Sequence, residues 1–243
     1  MADMYLYGKN SVLERLKVNS ASIKKIFLQE NLNLAAIEQL IKQHRIPLER
    51  LRPAQLERIK KADNLQGIVA KINEYKYVSL EELLGQEKKL TLLFLDRIYD
   101  PQNLGAIIRT AACFGNFAVV IPKHKACAVN DTVIHVAQGG ENYTPVSMVS
   151  NLTNAIISAK KSGYWIMGAT VNKNSQELNK ISMPFPLGVV FGSEGEGLRY
   201  GVDKYVDIRA QIPMALAKLS FNVSIAFAIF CYETDRQRGR SEK

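Results

Sequence analysis

The chain has 243 residues, 47% of them hydrophobic and 23% charged, a globular composition with apolar material for one large domain or two modest ones. No apolar run is long enough to span a bilayer, and the opening MADMYLYGKN lacks the basic-then-apolar pattern of a secretory leader, so a soluble, cytoplasmic protein is expected. The formal net charge of +9 points to a polyanionic partner (nucleic acid or an acidic membrane surface) or, on charge alone with equal weight, to a solubility surplus; residues 1–76 carry net +6 and the other 167 carry +3.

In chain order, SVLERLKV has a helical apolar pattern, KKIFLQE reads as a strand, and LAAIEQLIKQH as a helix with Leu34, Ile37, Leu40 and Ile41 on one stripe. AQLERIKKA is a short basic helix and GIVAKI a strand, so residues 1–76 form a small α/β unit. Residues 77–89, YVSLEELLGQEKK, read as a charged linker with a short helix ending near Gly85. From Leu90 to the end, strands and helices alternate. LTLLFLD is a buried strand, and Asp100-Pro101 opens a helix that stops at Gly115. FAVVIP is a strand, NLTNAIISAKK a helix ended by Gly163, and YWIMGAT and LGVVFG are strands. The segment from Phe221 to about Arg238 is a long helix, apolar nearly all round at first and so expected to be buried. The alternation predicts an α/β domain with a mostly parallel sheet over residues 90–243.

Cys113, Cys127 and Cys231 form no CxxC pair, and His44, His124 and His135 have no metal-ligand spacing, so neither a disulfide framework nor a metal is expected.

Three segments carry candidate chemistry. In DPQNLGAIIRTAACFG, Leu104, Ile107, Ile108 and Ala111 make the buried stripe. Gly105 sits early in the helix and Arg109 four residues on, from where its side chain would lean back over the bare backbone at Gly105. With Asn103 near the unpaired N–H groups of the helix start, this suits a phosphate or ribose contact, or else is a surface arginine beside a tolerated glycine. In LGVVFGSEGEGL a buried strand runs into Gly192-Ser-Glu-Gly-Glu-Gly197. The spacing G-x-x-G-x-G is neither a Rossmann fingerprint nor a P-loop, and Glu194 and Glu196 would repel a pyrophosphate. Such a loop suits a neutral or cationic ligand, or is simply a tight turn. In IPMALAKLSFNVS a strand end leads through a small loop into a helix opened by Ser220, Asn222 and Ser224, which taken alone read as caps.

Together and in this order, DPQNLGAIIRTA, VVFGSEGEGL and IPMALAKLSFNVS closely resemble the three signature motifs of the SpoU/TrmH family, within the SPOUT class of methyltransferases. YGKNSVLERL and LQGIVA near the two ends of the first unit resemble the small substrate-binding domain that many members carry. The resemblance implies a trefoil-knotted, mostly parallel catalytic domain preceded by a small α/β RNA-binding domain. It implies S-adenosylmethionine as methyl donor, a homodimer with the active site at the subunit interface, and a ribose 2′-OH of RNA as acceptor. The two-domain form is most similar to the branch that methylates a guanosine of large-subunit rRNA, with tRNA as the alternative target. Carried over by motif, Thr170, Gly192, Ile212 and Phe221 would hold the cofactor, helped by the Gly168–Thr170 stretch. Arg109, Asn103, Glu194, Ser220 and Asn222 would form the reaction site, and Glu141 matches a further recurrent position.

No motif contains a histidine to act as general base, and an arginine does not give up its proton, so Arg109 is read as stabilising the developing alkoxide and anchoring a phosphate. Three places depart from the family pattern: Phe221 replaces a usual Leu, Leu216–Leu219 replaces a glycine-rich stretch, and Leu65 stands where a His commonly precedes Gln-Gly. The altered loop at Leu216–Leu219 keeps open a non-catalytic RNA-binding protein of the same fold; a nucleotide-dependent enzyme of Rossmann type is a third reading, against which the glycine spacing speaks.

Overall fold

The computed structural model describes residues 4–62, 64–172, 174–193, 197–215 and 219–241, arranged around two separate sheets. The first is built from β1 (Met4–Tyr7), α1 (Lys9–Val18), β2 (Ile23–Gln29), α2 (Ala35–Gln43), β3 (Leu48–Leu51), α3 (Pro53–Ile59) and β4 (Ile68–Ile72). Its strand order is β1-β4-β2-β3, with β4 antiparallel to β1 and β2, and β2 parallel to β3. The stripe on α2 is the one its spacing predicts: Ile37 and Ile41 are buried, and Leu34 and Leu40 pack beside them. β1 and β3 escape the sequence reading because each is four residues long, and β3 (LERL) buries only Leu51.

Residues 77–89 are packed rather than extended. Ser79 caps α4 (Leu80–Gly85) by accepting from the Glu82 N–H, and Leu80 and Leu83 enter the core of the second sheet. The Val78 N–H donates to the Val146 carbonyl, and the Val129 N–H to the Tyr77 hydroxyl.

The second sheet contains β5 (Thr91–Leu95), β6 (Phe117–Pro122), β7 (Val146–Val149), β8 (Trp165–Ala169), β9 (Gln176–Glu177), β10 (Leu187–Phe191) and β11 (Ile208–Gln211). The helices are α5 (Pro101–Phe114), α6 (Asp131–Ala137), α7 (Leu152–Lys161), α8 (Tyr200–Asp203) and α9 (Val223–Ser241). The order is β7-β6-β5-β10-β8-β11-β9, and every pair is parallel. This is the α/β architecture with a parallel sheet that the alternating pattern predicts. Helices cover both faces, so β5, β6 and β10 are buried throughout and read as continuous apolar runs. Alternate residues serve opposite faces. Leu93 and Leu95 pack with Ile107, Val133 and Phe227, while Leu92 and Phe94 pack with Ile156 and Val190.

The expectation that the last helix is buried all round is corrected. α9 sinks Val223, Phe227, Phe230 and Cys231 into the core but leaves Ile225 and Tyr232 exposed, because it lies on one sheet face beside α5 and its outer side meets no element of the described residues. Its far end is pinned by Arg238, which donates to the Asn116 carbonyl at 3.1 Å and to Thr91 Oγ1 at 2.6 Å.

The two sheets share one hydrophobic cluster, in which Leu6 and Val12 join Val133 and Ile134, and polar contacts add to it. The Tyr5 N–H donates to Asp131 Oδ1, Lys60 pairs with the same carboxylate, and the Tyr7 ring stacks on His135 at 3.9 Å. Among the described residues no helix is long and apolar enough to cross a membrane.

Candidate functional site

In parallel α/β sheets the carboxyl ends of the strands are where ligands bind, and the three motifs all emerge there. α5 begins as its sequence demands. Asp100 accepts from the Gln102 N–H, and Pro101 occupies a position that needs no donor. The expected cover of Gly105 by Arg109 is corrected. A Cβ on Gly105 would lie 2.6 Å from Val136 Cβ and 2.8 Å from the Val133 carbonyl oxygen, so α6 fills that space. Gly140 lets the next turn press equally closely, since a Cβ there would sit 2.9 Å from the Arg109 Cα. Arg109 is therefore backed by α6 and its following turn, and its side chain is exposed, with no hydrogen bond or ion pair to the described residues.

Gly192 follows β10. A Cβ there would lie 2.2 Å from the Gly197 carbonyl oxygen and 2.7 Å from the Leu198 nitrogen. The backbone that demands a glycine is thus the returning limb of the same loop, closed by the Ser193–Gly197 bridge. Residues 194–196, including the expected site residue Glu194, lie outside the described residues.

Four residues expected to hold a cofactor, Thr170, Gly192, Ile212 and Phe221, line one pocket of about 820 Å³ together with Ser220. The pocket opens across the ends of β8, β10 and β11 and is floored by Phe191, Phe230 and Ala226. Its polar lining is neutral apart from Asp203, and no lysine or arginine lines it among the described residues. Such a wall disfavours a pyrophosphate and accommodates a neutral or cationic ligand with apolar parts. Phe221, in place of the family's usual leucine, is part of this wall, as is Leu219; residues 216–218 of the divergent loop lie outside the described residues. Leu65, the third departure, is a core residue, packed with Tyr7, Leu56 and Val69.

A smaller recess of about 260 Å³ adjoins the pocket, lined by Arg97, Ile98, Tyr99, Asp100, Asn103, Ser193 and Val223. Ser193 and Val223 belong to both. Asn222 caps α9, accepting from the Ser224 N–H at 2.9 Å, and its Nδ2 donates to Asn103 Oδ1 at 3.0 Å. The cap that the sequence suggests and the polar link between the first and third motifs are therefore one side chain. Burial, aided by the Asp100 carboxylate, raises the Cys127 thiol beside this loop above its usual range, which keeps it in the neutral form.

The sequence reading passed over the ion pairs that hold these loops. Arg199 Nε donates to the fully buried Asp96 Oδ2 at 2.8 Å and its Nη2 lies 2.6 Å from Oδ1, tying the glycine loop to the end of β5. Arg209 grips Asp203 at 2.8 Å beneath the larger pocket, and this partner raises the arginine's already high affinity for its proton. Asp96, at the end of an apolar strand, was the available signal; Arg199 and Arg209 had none.

Comparison with known proteins places these observations. Residues 90–232 match the SpoU rRNA Methylase family, and residues 5–78 match the RNA 2′-O ribose methyltransferase substrate-binding family. A protein of Staphylococcus saprophyticus described as belonging to the TrmH family of tRNA/rRNA methyltransferases is 34% identical over 245 residues, covering 98% of this chain and 97% of the relative. The SpoU methyltransferase AviRb of Streptomyces viridochromogenes, solved in complex with the cofactor AdoMet, superposes with a TM-score of 0.82 at 19% identity, covering 98% of this chain and 91% of that one. An AdoMet-bound rRNA methyltransferase of Sinorhizobium meliloti gives 0.81 at 22% identity, over 96% and 87% of the two chains.

Proposed function

The chain belongs to the SpoU rRNA methylase family, and from that premise we propose that it transfers a methyl group from S-adenosylmethionine to a ribose 2′-hydroxyl of RNA, with a guanosine of large-subunit rRNA as the favoured target. The observation that carries this reading is the convergence of Thr170, Gly192, Ile212, Ser220 and Phe221 on one pocket without cationic lining among the described residues, next to a recess bearing the Asn103–Asn222 pair. S-adenosylmethionine, when bound, supplies a methyl group on positively charged sulfur, open to attack by an oxygen nucleophile.

The chain's own groups have separable tasks. The closed turn at Gly192 and the backbone at Ile212 shape the pocket wall, while Thr170 and Ser220 offer hydroxyls to polar parts of the ligand. Asn222 and Asn103 hold each other, so one positions the other at the mouth of the recess. Glu194 remains part of the proposed reaction site through its motif. In the transfer the methyl–sulfur bond would break as the oxygen–methyl bond forms, S-adenosylhomocysteine would leave as a neutral thioether and the hydroxyl proton would pass to solvent water. Arg109 stabilises the negative charge that develops on the oxygen and anchors a neighbouring phosphate.

Arg109 lines neither cavity of its own chain, which supports the homodimer as the working form. It shares the outward side of α5 with exposed Gln102 and Cys113, next to the outward residues Ile225 and Tyr232 of α9. A second copy seated on this face would cover the apolar stripe and bring Arg109 to the subunit boundary. The remaining parts of the reading are a trefoil threading of the catalytic domain, supported by the interleaved order β5-β10-β8-β11, a division into 1–76, 77–89 and 90–243, and a cytoplasmic location. Residues 1–76 supply much of the positive charge that attracts RNA.

The test is methyl transfer from isotope-labelled S-adenosylmethionine to unmodified rRNA and tRNA, mapped by nuclease digestion and mass spectrometry. Label on one ribose 2′-oxygen of large-subunit rRNA is the expected result. Label on tRNA alone would move the target. No label from a folded protein would leave a non-catalytic RNA-binding protein.

A further inference from the structure

The loop between β5 and α5 has a feature that no motif accounts for. Tyr99 is 60% exposed, yet its backbone is held on both sides. Ile98 before it is buried and its carbonyl accepts from the Cys127 N–H at 2.8 Å, while Asp100 after it caps α5. The ring makes no hydrogen bond or ring contact with the described residues, and it lines the recess that also holds Asn103. A rigid backbone that presents a bare aromatic face at the edge of a small polar recess is the arrangement on which unstacked RNA bases are received.

The Cys127–Ile98 hydrogen bond joins this loop to its neighbour after β6, where Lys123, His124 and Lys125 are consecutive and all exposed. No side chain of the three is paired with a described residue. Because β6 lies beside β5, and β5 beside β10, the carboxyl edge of the sheet runs from the larger pocket to the recess and then to this basic loop. The larger pocket has no cationic lining among the described residues, whereas the basic loop stands one strand beyond the recess, where the backbone of an RNA chain entering it would pass.

We propose that the loop formed by residues 97–100 receives the acceptor nucleotide, with its base stacked on the Tyr99 ring and the flanking phosphates held by Lys123 and Lys125. The proposal rests on the RNA methyltransferase reading and names where that reaction's second substrate lies.

The experiment uses the full chain and two probes, a fluorescein-labelled single-stranded oligoribonucleotide for affinity and unmodified large-subunit rRNA for methyl transfer. Tyr99→Ala is expected to weaken oligoribonucleotide binding about tenfold or more and to raise the KM for rRNA in parallel, with affinity for S-adenosylhomocysteine unchanged. Tyr99→Trp is expected to recover both. Lys123→Glu with Lys125→Glu is expected to weaken RNA binding and to lower the slope of log affinity against log salt by about 0.7 for each phosphate that is no longer neutralised. Unaltered RNA affinity and KM in Tyr99→Ala, in a protein that methylates RNA, would overturn the proposal and leave the activity standing. Weakened binding in Tyr99→Ala when the parent protein methylates no RNA would uphold the surface and remove the activity. Conversion of a dimer to a monomer by Tyr99→Ala would overturn it by assigning the ring to a subunit contact.

Discussion

Arg15 in the first helix and Glu141 in the short turn after α6 form an ion pair at 2.9 Å, with their side chains only 7% and 0% exposed, and so join the two sheets through buried charge. Arg15 Nε and Glu141 Oε2 find no further partner among the described residues. Removing one member leaves the other a buried charge without its partner, so Arg15→Met is expected to cost about 3–5 kcal/mol of stability in urea denaturation. The double replacement Arg15→Met with Glu141→Leu is expected to recover most of that loss. Equal losses in the single and double variants would show that the pair is not coupled.

Glu141 also sets a pH dependence. Burial raises its carboxyl above the ordinary value of 4.5, with Arg15 acting in the opposite direction. The folded chain then keeps this proton at pH values where the unfolded chain has released it. The contribution is fully present below about pH 4.5 and is lost as pH rises through the raised value. Stability curves of the parent and of Glu141→Gln, measured by thermal denaturation from pH 4 upward, are expected to differ in this window, the parent losing stability relative to the variant. Parallel curves would place Glu141 at an ordinary carboxylate value.

Gly192→Ala puts a methyl group 2.2 Å from the Gly197 carbonyl oxygen, and both groups that it meets there are backbone, which cannot yield cheaply. Forcing the loop open costs about 1–3 kcal/mol, enough to weaken S-adenosylhomocysteine about tenfold by calorimetry. Unchanged affinity would mean that the turn takes no part in the pocket.

Arg109→Ala is expected to reduce turnover by about 100-fold or more with cofactor affinity retained, since the side chain is exposed and outside the larger pocket. Ile225→Asp, on the neighbouring helix, is expected to yield monomers in sedimentation and to lose activity with them. An active monomer would show that Arg109 acts without a second copy.

Asn222→Ala removes both a helix cap and the bond to Asn103. The cap accounts for about 1 kcal/mol of stability. Asn222→Asp keeps a capping oxygen but cannot donate to Asn103, so it is expected to restore the melting temperature while leaving methyl transfer low. Recovery of both would reduce Asn222 to a cap.

Much of this protein is written locally. LTLLFL, FAVVIP and LGVVF announce strands buried on both faces because covered parallel strands are apolar at every position, and Asp100-Pro101, Gly115 and Gly163 mark helix ends because those residues suit the backbone there. The three motifs, read in order, were enough to identify the family. What only the tertiary structure decided lies between distant segments. The face of Gly105 went to α6 rather than to Arg109, and the demand for Gly192 came from Gly197 crossing over it. Arg15 found Glu141 across 126 positions, and Asn222 found Asn103 across 119. A residue's own neighbours set its backbone preference and its face of the helix or strand. Which chain lies against that face depends on how whole elements pack, and sequence spacing carries no record of that.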